Sequence, residues 1–118
     1  MNTEIVYRPA YSLGIIRLEP HERVRVEAGS MVSFSGGVSL ETKAAGGIMA
    51  SLKRAVLGGE SFFINEYIAP AEGGTLTVAP ALPGDLFSHE MEPGSPLLVQ
   101  SGSFVASSMG VEVDTRWG

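Results

Sequence analysis

The chain has 118 residues, no cysteine and a formal net charge of −5 at pH 7. This length fits one domain, and the lack of cysteine excludes disulfides, thiolate metal sites and cysteine nucleophiles. The 8 lysine and arginine residues are scattered, so we expect no nucleic-acid partner, because such binding needs clustered positive charge. We expect a cytoplasmic protein, since the N-terminus lacks a signal core and no apolar run reaches the roughly 20 residues of a membrane span.

Short apolar or alternating segments, separated by glycine, proline or serine, predict an all-β sandwich or barrel. In residues 75–78, threonine alternates with leucine and valine, as on a strand with one buried face. The pairs Gly36 with Gly37 and Gly73 with Gly74 predict hairpin turns, because glycine reaches positive φ without steric cost. The predicted strands, in chain order, are residues 12–18, 23–28, 31–35, 38–43, 60–68, 75–79, 86–91, 97–100, 103–107 and 111–116.

An internal repeat relates residues 18–43 to residues 91–116 at a constant offset of 73, and ten of the twenty-six paired positions are identical. Chance would give roughly one or two identities. Each copy has a Glu-Pro turn, an apolar strand and a Gly-Ser reversal. Duplicated β units that stack on one another bury a face that neither could bury alone. We therefore predict a single domain over residues 1–118, built from duplicated β-sandwich or β-helix-like units.

The Gly-Ser reversals of the repeat are the pairs Gly29 with Ser30 and Gly102 with Ser103. Glycine at the same place predicts the same backbone bend in both copies, and serine there is typical of a turn hydrogen bond. The second copy stops where the first runs into an insert, so an exposed strand edge is expected. Such edges are commonly covered by self-association.

One short amphipathic helix is predicted near residues 46–59, between paired glycines. Its apolar and basic side chains fall on opposite sides at helical spacing. The simpler interpretation is a helix that caps an open end of the β core, and the alternative is docking to a membrane surface or a protein partner. The residues concerned are Ile48, Met49, Leu52, Lys53, Arg54, Val56 and Leu57.

The sequence predicts no catalytic, cofactor-binding or metal-binding residue. The two histidines, His21 and His89, lack the spacing of zinc or iron ligands. The glycine-rich insert lacks the lysine that defines a phosphate-binding loop. An alternative reading places a small-molecule pocket where the two repeat units meet. Its polar groups would be Glu60, Asn65, Asp85 and His89.

Several segments together resemble the mitochondrial biogenesis family named for altered inheritance of mitochondria. They are AGSMV, LKRAVLGGES, APALPGD and QSGSFVAS, in that order. The resemblance implies a β-rich fold similar to the tryptophan RNA-binding attenuator protein, with trimer-like assembly in some relatives. Fungal relatives look like mitochondrial inner-membrane organisation factors, whereas the bacterial members are largely uncharacterised, and we expect this chain to be one of the bacterial members. Family members continue beyond Gly118, which leaves open that residues 1–118 are the N-terminal part of a longer domain.

The leading functional hypothesis is a non-enzymatic scaffold or assembly protein that forms a homo-oligomer, with a trimer as one possibility. The repeat and the lack of convergent reactive groups favour it. The rival is a small-molecule-binding domain or an enzyme that uses the pocket between the units.

Overall fold

The computed structural model of the chain describes residues 1–41 and 63–113. In these residues eight β-strands form two four-stranded antiparallel sheets, and no α-helix is present. The all-β class predicted from the sequence is confirmed. The predicted helix over residues 46–59 lies outside the described residues, and the description as duplicated units stays a prediction.

The strands follow one another along the chain with short connections, except where residues 42–62 and the long segment before the last strand intervene. The first sheet has the order β1-β2-β7-β4 and the second sheet has the order β5-β6-β3-β8. Two single-turn 3-10 helices lie at Ala28–Ser30 and Ser101–Ser103. The strands are β1 Asn2–Val6, β2 Leu13–Leu18, β3 Arg23–Glu27, β4 Met31–Phe34, β5 Ser39–Glu41, β6 Ile64–Ile68, β7 Gly74–Val78 and β8 Ala106–Ser108.

The core lies between the two sheets, because apolar residues alternate along the strands of both. In β2, Ile16 and Leu18 are buried while Arg17 between them is exposed. In β3, Val24 and Val26 are buried and alternate with arginines. Full burial of one such side chain contributes about 1.5–3 kcal/mol, so both sheets depend on this shared layer. The remaining members of the cluster come from β6, β7 and the residues next to β5 and β6: Val38, Tyr67, Ala69, Leu76 and Val78.

Two glycine turns carry the chain from one sheet to the other. Gly37, at φ 91°, lies between β4 of the first sheet and β5 of the second. Gly73, at φ 80°, lies between β6 of the second sheet and β7 of the first, and its N–H donates to the Pro70 carbonyl oxygen at 3.0 Å. The predicted positive φ is therefore present, but the prediction of hairpins is wrong, because the flanking strands belong to different sheets.

The strand predictions fail at both ends of the chain. β1 is not among the predicted strands, although it pairs with β2 along its whole length. Residues 86–91 and 97–100 form no strand, and only an isolated bridge joins Glu92 to Ser95 there. A strand needs a neighbour for its backbone hydrogen bonds, and the described part of the chain supplies none to these segments. β8 is also displaced from the predicted 103–107, because residues 101–103 form the second 3-10 turn.

Candidate functional site

The Gly-Ser reversals predicted from the repeat lie in the two 3-10 turns, at the same place in each. Gly29 and Ser30 end the first turn, and Gly102 and Ser103 end the second. In the first turn the Glu27 carboxylate accepts hydrogen bonds from the Gly29 N–H at 2.9 Å and from the Ser30 hydroxyl at 3.4 Å. These contacts satisfy the free donors of the turn, so the described geometry gives these residues a structural role.

A second turn recurs at the same offset of 73 residues. In residues 19–22 and in residues 92–95, the N–H of the fourth residue donates to the carbonyl oxygen of the first at 3.0 Å. The third residue of each turn has positive φ, 61° at His21 and 77° at Gly94. Histidine therefore adopts a backbone conformation that costs it energy and that glycine adopts freely at the equivalent position.

A third turn recurs in residues 35–38 and 108–111. The N–H of the last residue again donates to the carbonyl oxygen of the first, at 3.2 Å and 3.3 Å. The two segments of the sequence repeat thus share three backbone turns in register, although only the first segment has complete strands between them.

The Asp85 carboxylate accepts four hydrogen bonds from the described chain. Arg8 binds it with two nitrogens, Nε at 2.8 Å and Nη2 at 2.9 Å. The Ser12 hydroxyl donates to it at 2.8 Å, and the Leu86 N–H donates at 2.9 Å. The hydrogen bonds from Arg8 and Ser12 hold the pKa of Asp85 well below its usual range. The hydrogen bond with Asp85 in turn raises the pKa of Arg8. This arrangement fastens the chain before β2 to the loop after β7.

A shallow, mainly apolar cleft of about 230 Å³ adjoins this cluster. One wall is closed by the hydrogen bond from the Ser12 N–H to the Gly84 carbonyl oxygen at 3.0 Å. Four donor groups from Arg8, Ser12 and Leu86 occupy the lone pairs of Asp85. The described residues that line the cleft include no carboxylate. The cleft is lined by Tyr11, Ser12, Ala79, Pro80, Ala81, Pro83 and Gly84.

A partly buried charge cluster lies on the outer face of the second sheet. Glu66 of β6 is only 3% exposed, and the Arg23 guanidinium lies 3.3 Å from it and 3.3 Å from Glu41. Arg25, directly opposite Glu66 in the sheet, donates to the Val111 carbonyl oxygen at 2.6 Å. The arginine neutralises a carboxylate that could not otherwise be buried without a large desolvation cost.

The residues of the predicted pocket lie in separate elements. Asn65 is on β6, where its side chain bonds the Tyr67 hydroxyl, while burial raises the pKa of Tyr67. Asp85 bonds Arg8 and Ser12, and His89 is exposed in the segment after β7. No hydrogen bond or ion pair joins these three, and Glu60 lies outside the described residues, so the pocket stays a prediction.

The predicted docking helix, from Ile48 to Leu57, also lies outside the described residues. Within residues 1–41 and 63–113, no group of three or more histidine, aspartate or glutamate side chains is arranged to hold a metal ion. None of the helices that these residues form has the length and hydropathy of a membrane-spanning segment.

Sequence reasoning missed both arginine clusters. For Glu66 a signal was present, since Ile64 and Ile68 flank it at period two and so share its face of the strand. For Asp85 and Arg8 no local signal exists, because 77 positions separate them and only the packing of two loops brings them together.

Residues 3–118 match the model of a protein family described as mitochondrial biogenesis AIM24. Among solved structures, the chain is similar to the crystal structure of protein SPYM3_0169 from Streptococcus pyogenes, with 27% sequence identity and a TM-score of 0.64. The likeness covers 92% of this chain and 50% of that one, so the chain spans about half the length of this relative. None of the curated proteins compared with the chain matches it.

Proposed function

Since the chain belongs to the mitochondrial biogenesis AIM24 family, we propose a function compatible with that family and with the described surface: a non-enzymatic scaffold that self-associates through strand edges. The observation that carries the proposal is the concentration of exposed apolar side chains after β7. Large exposed apolar surfaces on small domains mark sites of association. The side chains are Leu82, Phe87, Leu97, Leu98 and Val99.

The non-enzymatic part of the proposal is supported by how the carboxylates are used. Asp85 is occupied by Arg8 and Ser12, and Glu66 is paired with Arg23. A general base needs a free lone pair within reach of a substrate proton. These two carboxylates therefore serve packing in this proposal, and neither acts on a substrate.

The scaffold also has a proposed docking element and a proposed location. The insert near residues 46–59, with Leu52 on its apolar side, would dock to a membrane surface or to a protein partner. The bacterial cytoplasm is the proposed compartment, supported by the bacterial source of the similar structure.

Native mass spectrometry over a series of protein concentrations tests the scaffold proposal. We expect a defined oligomer without added mass, and we expect Leu98→Asp to reduce its population, because a charge would have to be desolvated in the contact. Glu90→Lys, a charge change at another exposed position in the segment after β7, is the control and leaves the oligomer unchanged. A chain that remains at the monomer mass of 12.4 kDa at all concentrations would contradict self-association.

A small-molecule-binding domain is the second candidate, favoured by the cleft next to Asp85. The pocket proposed here combines Asp85 with Glu60, Asn65 and His89 where the repeat units meet. A metabolite that raises the melting temperature of the wild type, and not that of Asp85→Asn, would support it. Failure of a broad metabolite and metal panel to change the melting temperature would count against it.

A further inference from the structure

β8 shows how a strand of the second repeat segment attaches to the first. Its residues, Ala106–Ser108, stand 73 positions after residues 33–35, which include the end of β4. β8 lies antiparallel on β3, with Val24 opposite Ser108 and Val26 opposite Ala106. β8, which is equivalent to the end of β4, thus pairs with β3, which lies in the first repeat segment.

Residues 24–26 are the part of β3 that pairs with β8, and their equivalents in the second segment are residues 97–99. No described strand pairs with residues 97–99. They lie outside every strand in the described chain, with Leu98 76% exposed and Val99 50% exposed. β4 is an edge strand of the first sheet, bonded only to β7 among the described strands. Two of its three exposed side chains, Val32 and Phe34, are also apolar, and the third is Ser33. One chain therefore has two segments, β4 and residues 97–99, that could pair with each other between copies and that do not pair within the described chain.

We propose that residues 97–99 of one copy pair antiparallel with residues 33–35 of a second copy of this chain. This inference rests on the self-association proposed above and names its contact. The expected register follows from the β3–β8 pair when 73 is added to the β3 positions and subtracted from the β8 positions. It places Leu97 opposite Ser35, Leu98 opposite Phe34 and Val99 opposite Ser33. Leu98 then covers Phe34, whose ring lies 5.4 Å from the ring of Tyr67 at the margin of the core.

The proposed contact joins two different surfaces, so it is heterologous. Each copy offers residues 97–99 to one neighbour and β4 to another, and the assembly grows in one direction until a rotation closes it. Main-chain hydrogen bonds would supply the pairing, and the apolar side chains would lose their exposure to water. The contact thus covers an open strand edge, which could otherwise aggregate, with an exposed apolar segment of a second copy.

The hydrogen bond from the Glu27 N–H to the Val105 carbonyl oxygen, 2.8 Å long, shows which opposite residues of β3 and β8 are hydrogen-bonded pairs. It makes residues 27 and 105 a hydrogen-bonded pair, so Val26 and Ala106 form the next, non-hydrogen-bonded pair. Their equivalents at the interface are Val99 and Ser33. Side chains are closest in pairs of this kind and come within the range that a disulfide spans.

Disulfide cross-linking between two single-cysteine variants of the full chain tests the register, and the absence of native cysteine leaves no background. Val99→Cys and Ser33→Cys are mixed and oxidised gently with diamide. We expect a disulfide-linked dimer in the mixture and in neither variant alone. Ser39→Cys on β5, the edge strand of the second sheet, is the matched control and gives no dimer with Val99→Cys. Circular dichroism checks that each variant keeps its β-structure.

Each other outcome overturns the inference in a recognisable way. A dimer of Val99→Cys with itself indicates a two-fold contact, and equal linkage to Ser39→Cys indicates unspecific edge pairing. Absence of cross-links in a chain that native mass spectrometry shows to be oligomeric rejects the register and leaves self-association standing. A monomer in both experiments rejects the inference and the proposed scaffold together.

Discussion

Three glycines distinguish backbone strain from steric conflict at single residues. Gly73 has φ 80°, and a Cβ there would lie 2.8 Å from the carbonyl oxygen of Leu18. Gly94 has φ 77° but open space around the same position, and Gly36 has neither constraint. Positive φ is unfavourable for residues with a Cβ, and a backbone oxygen cannot move aside as the end of a side chain can.

We predict that alanine substitution destabilises the protein in the order Gly73, Gly94, Gly36. Gly94→Ala is expected to cost about 1–2 kcal/mol from strain alone, and Gly73→Ala more than that. Gly36→Ala should be neutral or gain up to about 1 kcal/mol, because alanine restricts the unfolded chain. Urea unfolding measures all three. Equal effects at Gly73 and Gly36 would contradict the turn geometry.

Asp85 gives a prediction about pH. Its pKa is lowered in the folded state, first by the hydrogen bond from Arg8 and then by that from Ser12. Its stabilising contribution is therefore complete above the ordinary aspartate pKa of about 3.9 and is lost as the pH falls through the lower folded value. We expect Asp85→Asn to be less stable than the wild type at pH 7, and the difference to shrink below about pH 4.

Urea unfolding midpoints from pH 7 to pH 2 measure this difference for Asp85. Glu90→Gln serves as the control, since Glu90 is exposed and makes no ion pair with the described residues. A constant gap between wild type and Asp85→Asn over the whole range would show that the carboxylate charge is not the stabilising feature.

At the scale of the strand, alternation in the sequence predicts which residues face the core. The alternation in residues 75–78 correctly indicates that Leu76 and Val78 of β7 are buried. The prediction from apolar residues fails at residues 97–100, where Leu97, Leu98 and Val99 are exposed, because burial requires a second surface as well as a suitable side chain. Side-chain pattern is local information, whereas the presence of that surface is not.

Leu76 is the natural test of the core, because it is 0% exposed in a strand between two neighbours. Leu76→Ala should lower the free energy of unfolding by about 2–5 kcal/mol, from lost burial and the cavity left behind. The matched control, Leu82→Ala, truncates a side chain that is 79% exposed and should change it by less than about 0.5 kcal/mol. Thermal unfolding of both variants measures this difference, and an equal loss of stability in the two would contradict the shared core.

The charge cluster on β3 and β6 predicts an asymmetry between single and double substitutions. Arg23→Met leaves Glu66 buried without its arginine and should cost about 2 kcal/mol, less than for a fully buried pair, because Arg23 is itself partly exposed. Arg23→Met combined with Glu66→Leu removes both charges and should recover most of the loss. Chemical unfolding measures the stability of both variants, and a double variant less stable than Arg23→Met would refute this account.

For the whole molecule, the sequence predicts the all-β class but not the strand order. Glycine pairs at 36–37 and 73–74 mark reversals correctly, yet nothing local states that each reversal changes sheets. The pairing of β2 with β7 and of β3 with β8 depends on how two sheets share one core. The Arg8–Asp85 contact is subject to the same limitation, since it exists only after those sheets have formed.

The strand order also determines when each strand pair can form during synthesis, because the chain leaves the ribosome from its N-terminus. Until β6 emerges, the pair of β1 with β2 is the only pairing of described strands that can form. Because synthesis adds about 5–20 residues per second, the valines of β3 and β4 remain exposed to water for several seconds before a partner strand has been made. Newly made chains of this protein are therefore candidates for chaperone binding during that interval, and the rate of translation through residues 30–70 should influence how much reaches the folded state.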